Sequence, residues 1–278
     1  MAEFTVLGSA GFIGRNLTQH LRSLGNEVFT PGRGDDNLYR RPLGRLIYCA
    51  GVTGDFRRRP YDTVRSHVAL LADILERADF NSLLYLSSTR VYSASSRASE
   101  NFPVEVDPGD SGHLYNLSKL TGEALLVSSG RTGVKAARLS NVAGMDPASP
   151  AFLSQVIGDA LAGHIRLRSD PSSVRDFIHI DDVVDLLPRI SMEGREGTYN
   201  VASGVNIANR DIVSLLAKLT GCKVSVEPNA PERLLPVVDT RRIRSEFAFT
   251  PRNVLDALPA LVEEYSKADK KGEIDRWT

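Results

Sequence analysis

The sequence predicts an α/β protein, a parallel sheet doubly wound by helices, and three observations carry that prediction. Short apolar runs alternate with helix-length amphipathic stretches through the first half of the chain. A glycine-rich turn joins the first apolar run to the first amphipathic stretch. The chain has 278 residues and is 42% hydrophobic, enough for one large domain, or one domain with a small appendage.

The elements follow in order. Phe4 to Leu7 reads as a strand, and the segment from Met1 has neither the basic start nor the long apolar stretch of a signal peptide. Ile13, Leu17, Leu21 and Leu24 recur at helical spacing, and Gly25 closes that helix. Glu27 to Thr30 is a second strand. Residues 34 to 45 are short, polar and arginine-rich, so a reduced connection is expected there instead of a full strand–helix unit. Leu46 to Ala50 is a strand, broken by Gly51 and Gly54. After Pro60, the residues Val64, Val68, Leu71 and Leu75 form one helical face. Leu83 to Leu86 is a strand, Leu114 to Leu126 a helix ending near Gly130, and Val134 to Leu139 a strand.

The second half is less regular. A helix from Phe152 to Leu161 lies among polar, proline-containing loops, and Thr198 to Val201 is a short strand. Ile212, Leu215, Leu216 and Leu219 form a helix stopped by Gly221, and Val224 to Val226 is a strand. Residues 228 to 236 read as a loop, and the charged tail from Lys267 is expected to fray.

Composition excludes several classes. The 34 basic and 34 acidic side chains cancel, which removes the electrostatic case for nucleic acid or an anionic membrane as partner. No apolar run is long enough to span a bilayer. Cys49 and Cys222 are far apart and fit no metal spacing, so no metal site is expected. Cys49, inside an apolar run, reads as a buried thiol, and the lack of a disulfide framework fits a cytoplasmic protein.

The turn Gly8-Ser9-Ala10-Gly11-Phe12-Ile13-Gly14 sits between the first strand and the first helix. Glycines there permit the tight turn and let a pyrophosphate approach the backbone, and the helix start offers free N–H groups. A dinucleotide is therefore the expected cofactor. NAD-binding chains place Asp or Glu at the end of the second strand; here Thr30-Pro31-Gly32-Arg33 stands there. Arginine pairs with a 2′-phosphate, so NADPH is favoured over NAD, with Arg33 as the contact and Arg40 or Arg41 as possible helpers.

Tyr115 and Lys119 are four residues apart on a helical stretch and share one face. Ser88 ends a strand, on the edge where open α/β sheets bind ligands. Reduction of a ketone needs a proton donor and a group that holds the oxygen. Tyr115 fits the first role, with Lys119 expected to lower its pKa, and Ser88 fits the second.

Together these residues resemble the extended short-chain dehydrogenase/reductase family, the sugar-nucleotide epimerase/dehydratase group, over nearly the whole chain. Gly8, Gly11 and Gly14 match its cofactor turn, and Ala50-Gly51 the small pair after its fourth strand. Ser87-Ser88-Thr89-Arg90-Val91-Tyr92 matches its SSxxVY segment and Tyr115 to Lys119 its YxxxK. Arg138 to Val142 is similar to its RxxNV, Arg175 to Val183 to its RDFIHVDDV, and Tyr199 to Gly204 to its YNVGSG.

The resemblance implies a Rossmann-type domain over residues 1–145, to which parts of 174–205 return, and a small C-terminal substrate-binding lobe mainly from 146–278. It implies catalysis by Ser88, Tyr115 and Lys119, with Lys119 also on the nicotinamide ribose. The cofactor would lie along Gly8, Ser9, Gly11, Phe12, Ile13, Gly14, Ala50 and Gly51, and the substrate near Ser88, Thr89, Asn141, Arg175 and Arg233. It also implies a homodimer through the helices near 61–78 and 112–129.

Departures from the family narrow the reaction. Its 4,6-dehydratases carry an Asp-Glu pair after the catalytic hydroxyl, where this chain has Thr89-Arg90. His67 stands where many relatives have Asn, and the Cys and His of the fucose-pathway epimerase-reductases are missing. His179 reads as structural, and Arg57-Arg58-Arg59 as a solvated loop that could lie beside a phosphate. The expected function is NADPH-dependent reduction of a keto group on a nucleotide-activated (deoxy)sugar. The alternatives are an epimerase without net redox, a reductase of a non-nucleotide carbonyl compound, and a non-catalytic dinucleotide-binding protein.

Overall fold

The structure is a computed structural model that describes residues 3–195 and 197–270. In chain order, β1 (Glu3–Leu7), α1 (Phe12–Ser23) and β2 (Glu27–Phe29) lead to β3 (Arg45–Tyr48). Residues 34 to 44 hold no strand; a 3-10 turn, Asp36–Tyr39, crosses instead, started by Asp35, whose carboxylate accepts from Asn37 N at 3.0 Å. The small pair Ala50-Gly51 therefore follows the third strand of this chain, because the link that would carry another strand is too short.

The helix after Pro60 comes in three pieces: α2 (Pro60–Val64), a π-helical turn (Arg65–Ala69) and α3 (Leu70–Arg77). Then come β4 (Ser82–Ser88), α4 (Leu114–Ser128), β5 (Val134–Leu139), β6 (Asn141–Ala143), α5 (Phe152–Leu161), β7 (His164–Leu167) and β8 (Val174–His179). The rest is α6 (Ile180–Glu193), β9 (Thr198–Val201), β10 (Asn206–Ala208), α7 (Asn209–Thr220), β11 (Lys223–Val226), α8 (Arg241–Phe247) and α9 (Val254–Lys270). Gly221 caps α7 at φ 73, a left-handed geometry that favours glycine.

Six strands form one parallel sheet in the order β2-β1-β3-β4-β5-β9. This is the doubly wound, Rossmann-like arrangement expected. Along β4 the side chains alternate: Leu84 and Leu86 join the core beneath α1 and α6, while Leu83 and Tyr85 join the core beneath α3 and α4. The register Leu83↔Val134 to Ser88↔Leu139 sets the carboxyl end of β4 beside that of β5.

A third core, with Ile157, Ile165, Phe177, Ile212, Leu216, Leu258 and Tyr265, belongs to the second half of the chain. Two small sheets, β10-β8-β6 and β11-β7, lie there. Part of the tail expected to fray is helical, since α9 runs to Lys270; the rest of that tail lies outside the described residues. Among the described residues, no helix is long and apolar enough to cross a membrane.

Candidate active site

The site is assembled at the carboxyl ends of β1, β3, β4 and β5. Its first part is the glycine turn. Gly8 has φ +85, and a Cβ there would lie 2.6 Å from Ala50 N; a Cβ on Gly14 would lie 2.2 Å from Gly8 O. Only glycine fits either place, so the turn and the start of α1 pack directly on β1 and the loop after β3. Gly11 begins α1 with no side-chain cap and no acid in the first turn, so the helix start keeps its N–H groups and positive dipole end for an anion. Ser9 belongs to this same turn, and Phe12 and Ile13 open α1. These residues fit the pyrophosphate of a dinucleotide.

Arg33 lies exposed beyond β2. The other two candidate arginines are engaged elsewhere. Arg40 pairs with Asp36 at 3.3 Å, and Arg41 with Glu3 at 2.7 Å while stacking on Phe29.

The second part is carried by α4. Tyr115, Lys119 and Glu123 stand at successive turns and share one face. Tyr115 is 3% exposed and hydrogen-bonded to Ser88; Lys119 is 5% exposed and donates to Leu86 O at 2.8 Å. Ser88 Oγ also accepts from Arg90 N at 3.2 Å, which starts the 3-10 turn Thr89–Tyr92.

The electrostatics differ from the sequence expectation. Burial raises the Tyr115 pKa, opposed by the Ser88 hydrogen bond and the Arg90 charge. Lys119 was expected to lower it, but its ammonium is turned to Leu86 O and stays 5.9 Å from the tyrosine ring centroid. Burial also depresses Lys119 itself to about 7, opposed by Glu123 and Cys49. The Cys49 thiol is pushed up to about 12 by burial, although the residue keeps some exposure and is not fully enclosed.

His67, on the π-helical turn, is fully buried. Its Nε2 accepts from Val52 N at 3.2 Å, so the proton sits on Nδ1, which donates to Ser118 Oγ at 2.8 Å. Burial and the Lys119 charge hold its pKa down at about 2, so the ring is neutral. A Cβ on Gly51 would lie 2.8 Å from His67 Nε2, which makes this loop and this histidine one unit.

Beneath the site lies a network that sequence reasoning missed. Arg138 on β5 makes a bidentate contact with Glu123, Ser87 Oγ donates to Glu123 at 2.5 Å, and Arg138 donates to Tyr92 OH at 2.6 Å. Tyr92 in turn donates to Asn200 Oδ1 at 2.8 Å, so β4, β5, β9 and α4 are tied together. The i,i+4 spacing of Lys119 and Glu123 was the available signal.

The expected substrate residues take these places. Thr89 follows Ser88 directly. Asn141 Nδ2 donates to Asp176 O at 2.8 Å. Arg175 stacks on Phe152 at 4.3 Å and donates to Asn209 Oδ1 at 2.9 Å; burial and the charge of Arg233 depress its pKa to about 10. His179 caps α6, its Nδ1 accepting from Asp181 N. Of the Arg57-Arg58-Arg59 run, Arg59 pairs with Asp62 and Arg57 stacks on Phe56.

Comparison with known proteins places the chain's sequence and fold among relatives. The chain is 28% identical over 207 residues to a dTDP-glucose 4,6-dehydratase of Streptomyces griseus, covering 71% of this chain and 62% of that relative, less than two thirds of its length. It is 24% identical to a dTDP-4-dehydro-6-deoxy-D-allose reductase of a Streptomyces species, covering 89% of this chain and 91% of the relative. The solved structure of MoeE5 in complex with UDP-glucose and NAD shares the fold, with a TM-score of 0.80 at 23% identity, covering 96% of this chain and 99% of that one. Residues 42–202, the stretch holding β3, the Ser88 strand end and the Tyr115 helix, match the NAD dependent epimerase/dehydratase family, and the chain belongs to that family of NAD(P)-dependent enzymes.

Proposed function

We propose that the protein reduces a keto group on a nucleotide-activated sugar or deoxysugar, using NADPH. The observation that carries this reading is the meeting of Ser88, Tyr115 and Lys119 beside the glycine cradle, with Thr89-Arg90 following the hydroxyl and no acid pair there to eliminate water. The reductase relative named above supports it.

NADPH, when bound, supplies the hydride that reaches the carbonyl carbon. The chain does the rest. Ser88 holds the carbonyl oxygen, and Tyr115 gives it a proton as negative charge builds there. Lys119 sits one turn away to hold the ribose. Arg33, near the end of β2 and with no acidic partner among the described residues, takes the 2′-phosphate. Arg175 and Arg233 take the substrate's diphosphate, and residues 146–278 supply most of the substrate lobe. A homodimer through α2, α3 and α4 fits the exposed Tyr61 and Val64 on α2 and Val127 on α4.

The test is turnover with a nucleotide-activated 4-keto-6-deoxysugar. NADPH should be consumed one for one with substrate, and Tyr115→Phe should lose on the order of a thousandfold in kcat while still binding NADPH. Epimer formation with no net NADPH use would replace this reading with an epimerase. Arg33→Ala should weaken NADPH about tenfold and leave NADH unchanged, measured by nucleotide fluorescence. Equal affinities in the wild type would remove the NADPH assignment.

A further inference from the structure

Arg90 and Arg57 stand near Tyr115, and the proposed reduction sets neither of them on cofactor or substrate. The Arg90 guanidinium lies 5.6 Å from the Tyr115 ring centroid and 4.8 Å from that of Phe56. Arg57 stacks on the same Phe56 ring at 4.7 Å, so one aromatic side chain carries two guanidinium groups. Of the five N–H donors of Arg90, one is given to Gly112 O, at 3.3 Å. Among the described residues no carboxylate pairs with it. Asp110, whose field reaches Arg90, already accepts from Gly112 N at 2.6 Å. Arg90 is an exposed residue, and partial desolvation and the charges of Arg57 and Arg233 hold its pKa below the ordinary arginine value, opposed by Tyr115 and Asp110.

The charge of Arg233 acts on both Arg90 and Arg175. Arg175 sits on Phe152 and Arg90 by Tyr115. The carbonyl to be reduced must lie at the Tyr115 hydroxyl, so Arg90 meets the ring being reduced. The diphosphate, farther along the substrate, falls to Arg233 and Arg175.

We infer that Arg90, with Arg57, forms a subsite for a carboxylate carried by the sugar itself, so that the substrate class is a nucleotide-activated acidic sugar. The inference rests on the sugar-nucleotide reading above and narrows it to sugars that carry the acid, with the 6-deoxysugar then a poorer substrate. A guanidinium beside the reacting centre would take the carboxylate through two parallel hydrogen bonds, and would orient the ring against Ser88 and Tyr115.

The experiment is calorimetric binding to the full chain of UDP-glucuronic acid and UDP-glucose, and of the dTDP counterparts. Each pair differs only in the carboxylate. The wild type should prefer the acidic sugar by on the order of 10- to 100-fold. Arg90→Gln should erase that preference and leave the neutral sugar's affinity unchanged, and Arg90→Lys should restore part of it. Arg175→Gln should weaken both sugars alike. Equal wild-type affinities for the two sugars would overturn the subsite while leaving the sugar-nucleotide reading intact. Binding of none of the four would overturn both. Unchanged affinities in Arg90→Gln, with a pH–rate profile displaced equally for every substrate, would make Arg90 a partner of Tyr115 only and would also overturn the subsite.

Discussion

Arg138 and Arg90 both lie near the carboxyl edge of the sheet, and both stack on a tyrosine, Tyr92 at 5.0 Å and Tyr115 at 5.6 Å. Their electrostatics are opposite. Arg138 is buried against Glu123 and Tyr92, and those partners raise its pKa despite the cost of burial. Arg90 is exposed, with the charges of other arginines acting on it and no paired carboxylate among the described residues, and its pKa falls. A cation whose hydrogen bonds are met inside the protein holds strands together. A cation left short of partners in a cleft is available to a ligand.

That difference can be broken from either side. Glu123→Ala should have the largest effect, because it strands the Arg138 charge inside the protein: a loss of about 3–5 kcal/mol in chemical denaturation. Glu123→Leu combined with Arg138→Met should recover much of that loss, since apolar groups of similar volume need no partner. If the single and double variants are equally unstable, the pair is not what ties β4, β5 and α4 together. On the open side, Arg175→Gln should leave stability within about 1 kcal/mol and weaken sugar-nucleotide binding about tenfold or more. A melting temperature that falls as far as in Glu123→Ala would move Arg175 into the scaffold.

The same contrast explains what could be read from the sequence. The strands β1, β3, β4 and β5 announce themselves as apolar runs, and the glycine turn and YxxxK depend on residues close together in sequence. Helix α5 and strand β5 were placed with the bounds now seen, and Gly221 marked the end of α7. Missing were the helices α6, α8 and α9. Two of these carry an internal proline, Pro188 and Pro259, which reads as a breaker when the chain is taken alone. Also missing were β6 and β10, three residues each, and β8, where Arg175 and Asp176 interrupt the apolar pattern. Asp176 earns its place through tertiary contacts, accepting from the backbone N–H groups of Ser203, Gly204 and Val205. The Glu123–Arg138 pair and the gathering of Arg57, Arg90 and Arg233 likewise join residues far apart in the chain, so no local pattern shows them.

Lys119 falls between the two arginines, and its expected effect is the smallest. It is as buried as Arg138, but it donates to a carbonyl, and Glu123 acts on it only at a distance. Its folded pKa of about 7 lies well below the unfolded value. Below pH 7 the ammonium is charged in both states, and the cost of burying it is fully present. As pH rises above 7 the folded chain sheds this proton while the unfolded chain keeps it, so stability rises with pH. The slope contributed by this one group is at most about 1.4 kcal/mol per pH unit. Cys49, displaced upward, works the other way once unfolded thiols ionise, so the clean window runs from pH 7 to the onset of thiol ionisation. Denaturant titrations of the wild type and Lys119→Met across that window should differ in slope by this amount, with the wild type gaining stability relative to the variant. Parallel curves would mean that Lys119 keeps its proton throughout. In that case its charge is supported by its surroundings as firmly as that of Arg138.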